Sequence, residues 1–194
     1  MFFIFVIFYP FVKYMVSGQD FLSSVAIKRL RRELQQLKKE KDFGIDATVM
    51  LDDNGNEDLS RWEIKINGCE DSLYDGYILK AKVSFPSRYP NLPPSFIFTT
   101  PMWHPNVYKD GRVCISILHT ADEAVVDPGI LDCSWTAVQS VRTICISILS
   151  MLNEPNIDSP ANVDASVQYR DKRNEYEMYV KNLLEKYAEK INKH

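Results

Sequence analysis

Residues 62–99 read WEIKINGCEDSLYDGYILKAKVSFPSRYPNLPPSFIFT. Trp62, Ile64 and Ile66 alternate with Glu63, Lys65 and Asn67. Successive side chains of a strand point to opposite faces, so this spacing predicts a strand with one buried face. Tyr77, Leu79, Ala81, Val83 and Phe85 repeat the pattern with mostly polar partners, and Ser95 to Thr99 forms a further short run. Between the last two runs, Phe85 to Pro94 holds Pro86, Pro90, Pro93 and Pro94. Proline lacks the N–H that a central strand must donate, so this stretch is expected to be a rigid, extended surface loop. The short connections favour an antiparallel meander packed on one side.

Working upstream, Asp52-Asp53-Asn54-Gly55-Asn56 is a turn and Ala47 to Leu51 an additional short strand. Before it, Ser23 or Ser24 can cap a helix in which Ile27, Leu30, Leu34 and Leu37 recur at helical spacing. This helix is expected to end near Lys41, with its apolar stripe on the sheet. Its basic residues Lys28, Arg29, Arg31 and Arg32 read first as a solvated face. Working downstream, Thr100 to Ser134 lacks regular periodicity, and a loop of that length in a compact domain is usually functional. A helix is expected from Thr136, with Gln139 as capping-box partner and Val138, Val141, Cys145, Ile148 and Leu152 on its buried face. Glu154-Pro155-Asn156 ends it. A last helical region runs from about Ala161 to Asn192, with a break before Arg170. Helix, four strands, long irregular segment and helices cluster by type, so the fold class is α+β.

The chain has 194 residues, 45% hydrophobic and 25% charged, which suits one globular domain with an extension. Its net charge of −3 argues against nucleic acid as a partner. Cys69, Cys114, Cys133 and Cys145 form no CxxC pair, so no metal site is expected, and reduced thiols in the cytosol fit better than a disulfide framework. Residues 1–16 are a hydrophobic extension ahead of a domain at 20–194. As a helix they would span about 24 Å at ~1.5 Å per residue, short of the ~30 Å bilayer core, and Pro10 interrupts them. Two readings stay open: Met15 is the true start, or the segment tethers the domain to a membrane with the following basic residues on the cytosolic side.

The chemistry gathers in the irregular segment, where His104-Pro105-Asn106 precedes Gly111 and Cys114. A nucleophilic thiol must be reachable, and a loop on a rigid scaffold makes it so. An asparagine amide can donate to a developing oxyanion, and His104 can fix the loop through its backbone. Taken singly, each residue also reads as packing or support.

The segment Trp103-His104-Pro105-Asn106-Val107-Tyr108-Lys109-Asp110-Gly111-Arg112-Val113-Cys114-Ile115 resembles the signature of the ubiquitin-conjugating enzymes. Tyr89 to Pro94, Trp135 and Glu154-Pro155-Asn156 continue the likeness, from about Val25 to the C-terminus. The resemblance implies the fold of that family and a thioester of ubiquitin on Cys114, passed on to a lysine amine. Asn106 would stabilise the oxyanion or hold the loop that does, and His104 would be structural. Trp135 follows Cys114 by 21 positions (135 − 114), an insert that resembles the G-type branch, as do Cys114 to His119 and Ser159 to Ala165. In that branch His119 and the acidic residues Asp122, Glu123 and Asp127 would surround the incoming lysine, and members build ubiquitin chains for proteasomal degradation.

The implied partners are ubiquitin, the activating enzyme, a RING-type ligase and protein substrates. No cofactor is expected, because ATP is consumed upstream. Lys28 and Arg29 match the face shown to the activating enzyme; Asn91, Leu92, Thr136 and Ala137 fall on the expected ligase surface. Asn91 stands where a large apolar anchor is usual, and Thr136-Ala137 replace Ser-Pro, which puts ligase choice in doubt. Gly68-Cys69 departs from a glycine-proline turn. Cys69 and Cys133 read as incidental thiols and Cys145 as core. The expected location is the cytoplasm, including the cytosolic face of the endoplasmic reticulum. Competing readings are a different ubiquitin-like modifier, a non-catalytic scaffold, which the presence of Cys114 opposes, and a cysteine hydrolase with His104 or His119 as base.

Overall fold

The computed structural model describes residues 22–40, 44–120 and 134–191. The extension at 1–16, Asp122, Glu123, Asp127, Asp132 and Cys133 therefore lie outside the described residues. Helix α1 spans Ser24–Lys39; Ser23 caps it by accepting from the Ala26 N–H at 3.1 Å, and Lys38 and Lys39 complement its C-terminal carbonyls. Its buried stripe is Ala26, Leu30, Glu33 and Leu37, one residue round from the expected one, with Ile27 and Leu34 only half-buried. The rotation carries a carboxylate, Glu33, into the core.

Strands β1 (Ile45–Leu51), β2 (Glu57–Asn67), β3 (Tyr77–Ser84) and β4 (Ser95–Phe98) form the antiparallel meander in the order β1-β2-β3-β4. The register sets Trp62 opposite Val83, Ile64 opposite Ala81 and Ile66 opposite Leu79, which places all six on the buried face. Strand β2 begins five residues before Trp62, where Met50 and Leu51 pair with Asp58 and Glu57 beyond a register shift that leaves residues 59–61 of β2 bulged.

Helix α2 (Val141–Asn153) starts five residues later than the sequence suggests. Ser140 and Thr143 form the reciprocal cap. Thr136 and Gln139 close a turn instead, with Gln139 N–H donating to the Thr136 carbonyl at 3.0 Å, and Val138 is 82% exposed rather than buried. Val141, Cys145, Ile148 and Leu152 do face the core, together with Ile144. Burial pushes the Cys145 thiol up to about 12, so it stays protonated and inert.

The C-terminal region divides into α3 (Val163–Asp171) and α4 (Arg173–Tyr187), breaking at Lys172, two residues beyond Arg170. The chain then leaves the helix and adds a two-residue strand, β5 (Glu189–Lys190), on the start of β3. A pair of residues carries no readable periodicity, so this fifth strand is invisible in sequence. Among the described residues no helix is long and apolar enough to cross a membrane.

Candidate active site

The site is built on the hairpin-like segment that follows β4. Its first anchor is His104, whose side chain is fully buried. His104 Nδ1 accepts from the Asn106 N–H at 3.0 Å, so the proton of the neutral ring sits on Nε2, which lies near the Met151 backbone without a well-aligned partner. Burial pushes the ring's pKa down to about 4. No lone pair of His104 is free, and water does not reach it, which removes it as a general base.

A pH dependence follows. Unfolded histidine titrates near ~6.5, so between that pH and about 4 the unfolded chain takes up a proton that the native ring refuses. The contribution is complete above pH ~6.5 and is lost as pH falls. On denaturant unfolding, the stability lost between pH 7 and pH 4.5 should be about 2–3 kcal/mol smaller in His104→Gln than in the unaltered chain. Equal losses would contradict the buried neutral ring.

Asn106 is the second anchor and is 3% exposed. Its Oδ1 accepts from the Asn156 N–H and its Nδ2 donates to the Asn156 carbonyl, both at 2.8 Å. Its own carbonyl accepts from the Cys114 N–H at 2.9 Å. One residue thus ties the Cys114 backbone to Asn156, in the segment that follows α2. A primary amide has two N–H donors, and only one is used on Asn156.

Between them the chain turns at Gly111, where φ is +88° and a Cβ would stand 2.3 Å from the Phe98 carbonyl oxygen. Only glycine fits such a close approach in the left-handed region. Phe98 N–H to Gly111 carbonyl (2.9 Å) and Val113 N–H to Phe96 carbonyl (3.2 Å) pin the turn to β4.

Cys114 is half-buried, and its Sγ lies 3.8 Å from His119 Nε2. His119 is placed by the 3-10 turn Ser116–Leu118, with its N–H donating to the Ser116 carbonyl at 2.9 Å. Tyr108 lies on the hairpin beside Cys114, which raises the phenol above its ordinary pKa and keeps it protonated. A groove lined by Tyr108, Lys109, Asp110, Arg112 and residues 161–164 borders this side.

The structure brings His104, Asn106, Cys114 and His119 together through these contacts. Asp122, Glu123 and Asp127 fall outside the described residues. Asn91, Thr136 and Ala137 are exposed and Leu92 half-buried. The Trp135 indole N–H, donating to the Pro90 carbonyl at 2.8 Å, joins these two stretches into one face. Lys28 is exposed, whereas Arg29 is engaged: it pairs with Glu33 and donates to the Gln139 carbonyl at 2.7 Å. Among the described residues no cluster of three His, Cys, Asp or Glu side chains is placed to hold a metal.

Sequence reasoning did not single out Asn156, Tyr108, Trp135 or Glu33 as parts of this arrangement. The first three lie inside quoted motifs, which was the available signal. Glu33 had none, because a charged residue inside an amphipathic helix reads as exposed.

A family model described as ubiquitin-conjugating enzyme matches residues 29–184. The chain is 41% identical over 168 residues to ubiquitin-conjugating enzyme E2 7 of Arabidopsis thaliana, covering 87% of this chain and 99% of that protein. It is 40% identical over 168 residues to ubiquitin-conjugating enzyme E2 13 of the same plant, with the same coverage. It is 39% identical over 169 residues to ubiquitin-conjugating enzyme E2 15 of Schizosaccharomyces pombe, again covering 87% and 99%.

Proposed function

The chain belongs to the ubiquitin-conjugating enzyme family and is a ubiquitin transferase, and from that premise we propose how its site works. The Cys114 thiolate attacks the thioester that joins ubiquitin's C-terminal glycine to the activating enzyme. The new sulfur–carbonyl bond forms on Cys114 and the activating enzyme's thiolate leaves. A lysine amine then attacks the Cys114 thioester, the oxyanion forms, and the Cys114 thiolate departs as the amide is made. The observation that carries this reading is the Asn106 amide. Its side-chain oxygen and one N–H are locked to Asn156, the main-chain carbonyl of the same residue accepts from the Cys114 N–H, and the second amide N–H would serve the oxyanion.

The amine must lose a proton before or during attack, and its unperturbed pKa is about 10.4. His119, with Nε2 near Sγ, and the acidic residues Asp122, Glu123 and Asp127 form the acceptor-lysine environment that eases this loss. The groove bordered by Tyr108 and residues 161–164 would take the polypeptide flanking that lysine. The length between Cys114 and Trp135 supports the G-type branch, and with it the building of proteasome-targeting chains. Lys28 and Arg29 would meet the activating enzyme. The face of Asn91, Leu92, Thr136 and Ala137 would meet a RING-type ligase in the cytoplasm or at the cytosolic face of the endoplasmic reticulum. No cofactor enters the chain's own steps.

Single-round discharge tests the transfer. Protein charged at Cys114 should release ubiquitin in proportion to added free lysine, with a ubiquitin–lysine product. Release of free ubiquitin at the same rate without an amine would favour the hydrolase reading instead.

A further inference from the structure

Trp135 sits where the ligase-facing surface and the thiol's surroundings meet. Its indole N–H donates to the Pro90 carbonyl at 2.8 Å, immediately before the exposed Asn91. Its backbone N–H donates to the His119 carbonyl, also at 2.8 Å. His119 in turn lies 3.8 Å from Cys114 Sγ. The ring is 6% exposed and packs on Tyr89 with centroids 5.8 Å apart. One residue therefore grips the Tyr89–Leu92 loop with its side chain and the residue beside the thiol with its main chain. Thr136 and Ala137 follow it directly on the exposed face.

From this we infer that Trp135 is a positioning residue that holds His119 against Cys114 and registers it to the ligase-facing loop. The inference rests on the reading of His119 as part of the acceptor-lysine environment. Main-chain hydrogen bonding sets where the His119 backbone lies, and a buried, doubly anchored ring sets where Trp135 lies. A displacement of about 1 Å at a reacting group can cost up to about 100-fold in rate. The indole anchor is thus a lever on acceptor attack that acts through the His119 main chain. A partner that shifts Pro90 would move His119 through the same two bonds.

The test is a cycle of Trp135→Phe, His119→Gln and the double variant. Charging by the activating enzyme and single-round discharge to free lysine are measured for each. Phenylalanine keeps most of the packing and loses only the N–H to Pro90. The expected result is discharge slowed by about fivefold to twentyfold in either single variant, with charging of Trp135→Phe within about twofold of the unaltered chain. The double variant should be no slower than His119→Gln alone, because both act on one arrangement. Discharge by His119→Gln at the unaltered rate would overturn the reading of His119, and the inference with it. Slow His119→Gln beside full-rate Trp135→Phe, or strictly additive losses, would overturn the inference alone. In the unaltered chain the Trp135 indole N–H should be protected from hydrogen exchange; free exchange would overturn the anchor whatever the variant's stability.

Discussion

Asn106→Ala should slow lysine discharge by about 100-fold or more, the cost of removing one preorganised oxyanion donor. Charging should suffer less: both steps expel a thiolate, but in charging the nucleophile is itself a thiolate, whereas in discharge it is an amine that must also lose a proton. The substitution also strips the Asn156 N–H and carbonyl of their partners, at about 0.5–1.5 kcal/mol of stability, because Asn156 is exposed and water can take the place of the lost amide. The two effects separate on temperature. A loop that is merely loosened regains activity well below the melting temperature, whereas a missing donor does not. Asn106→Asp sharpens the point, because it can still accept from the Asn156 N–H but offers the oxyanion no donor and adds a negative charge. A discharge rate near that of the unaltered chain in Asn106→Asp would remove Asn106 from the chemistry.

The largest stability effect should come from Glu33→Ala. The Glu33 carboxylate is 5% exposed and gathers three donors: Arg29, the Tyr89 hydroxyl at 2.6 Å and the Val141 N–H at 2.8 Å. These belong to α1, the proline-rich loop and the first turn of α2. A carboxylate at that turn meets the positive end of the helix dipole. Burial, and then the nearby carboxylate, raise the Tyr89 phenol's pKa, so Tyr89 remains a donor. Alanine would leave the Tyr89 hydroxyl and the Val141 N–H unpaired and the Arg29 guanidinium, still bonded to the Gln139 carbonyl, without its counter-charge, at about 3–5 kcal/mol. Glu33→Gln should cost roughly half of that, since its carbonyl still accepts while its amide opposes the third donor. Denaturant unfolding gives both values. A loss below about 1 kcal/mol for Glu33→Ala would show that the hub is not needed.

The alternation of β2 and β3 was legible because one face is buried and the other wet, so polarity reports side-chain direction residue by residue. Glu33 was illegible for the same reason: its partners lie 56 and 108 positions away, and nothing local distinguishes a paired buried charge from a solvated one. The start of α2 was misplaced because Thr136 and Gln139 have the spacing of a cap and also of a simple turn. The cap forms at Ser140 and Thr143, and Val138 is exposed because it precedes the helix. At the site, His104, Asn106 and Cys114 taken singly also read as packing or support, and it was their order within one motif that carried the family resemblance. The bridge from Asn106 to Asn156 spans 50 positions and uses backbone atoms, which leave no trace in side-chain identity.

The most direct measurement is a charging assay with activating enzyme, ATP and ubiquitin, resolved on a non-reducing gel. The account predicts a band shifted by one ubiquitin that thiol reductant removes and that Cys114→Ala abolishes. A reductant-sensitive band that persists in Cys114→Ala, or no band from the folded, unaltered chain, would contradict it.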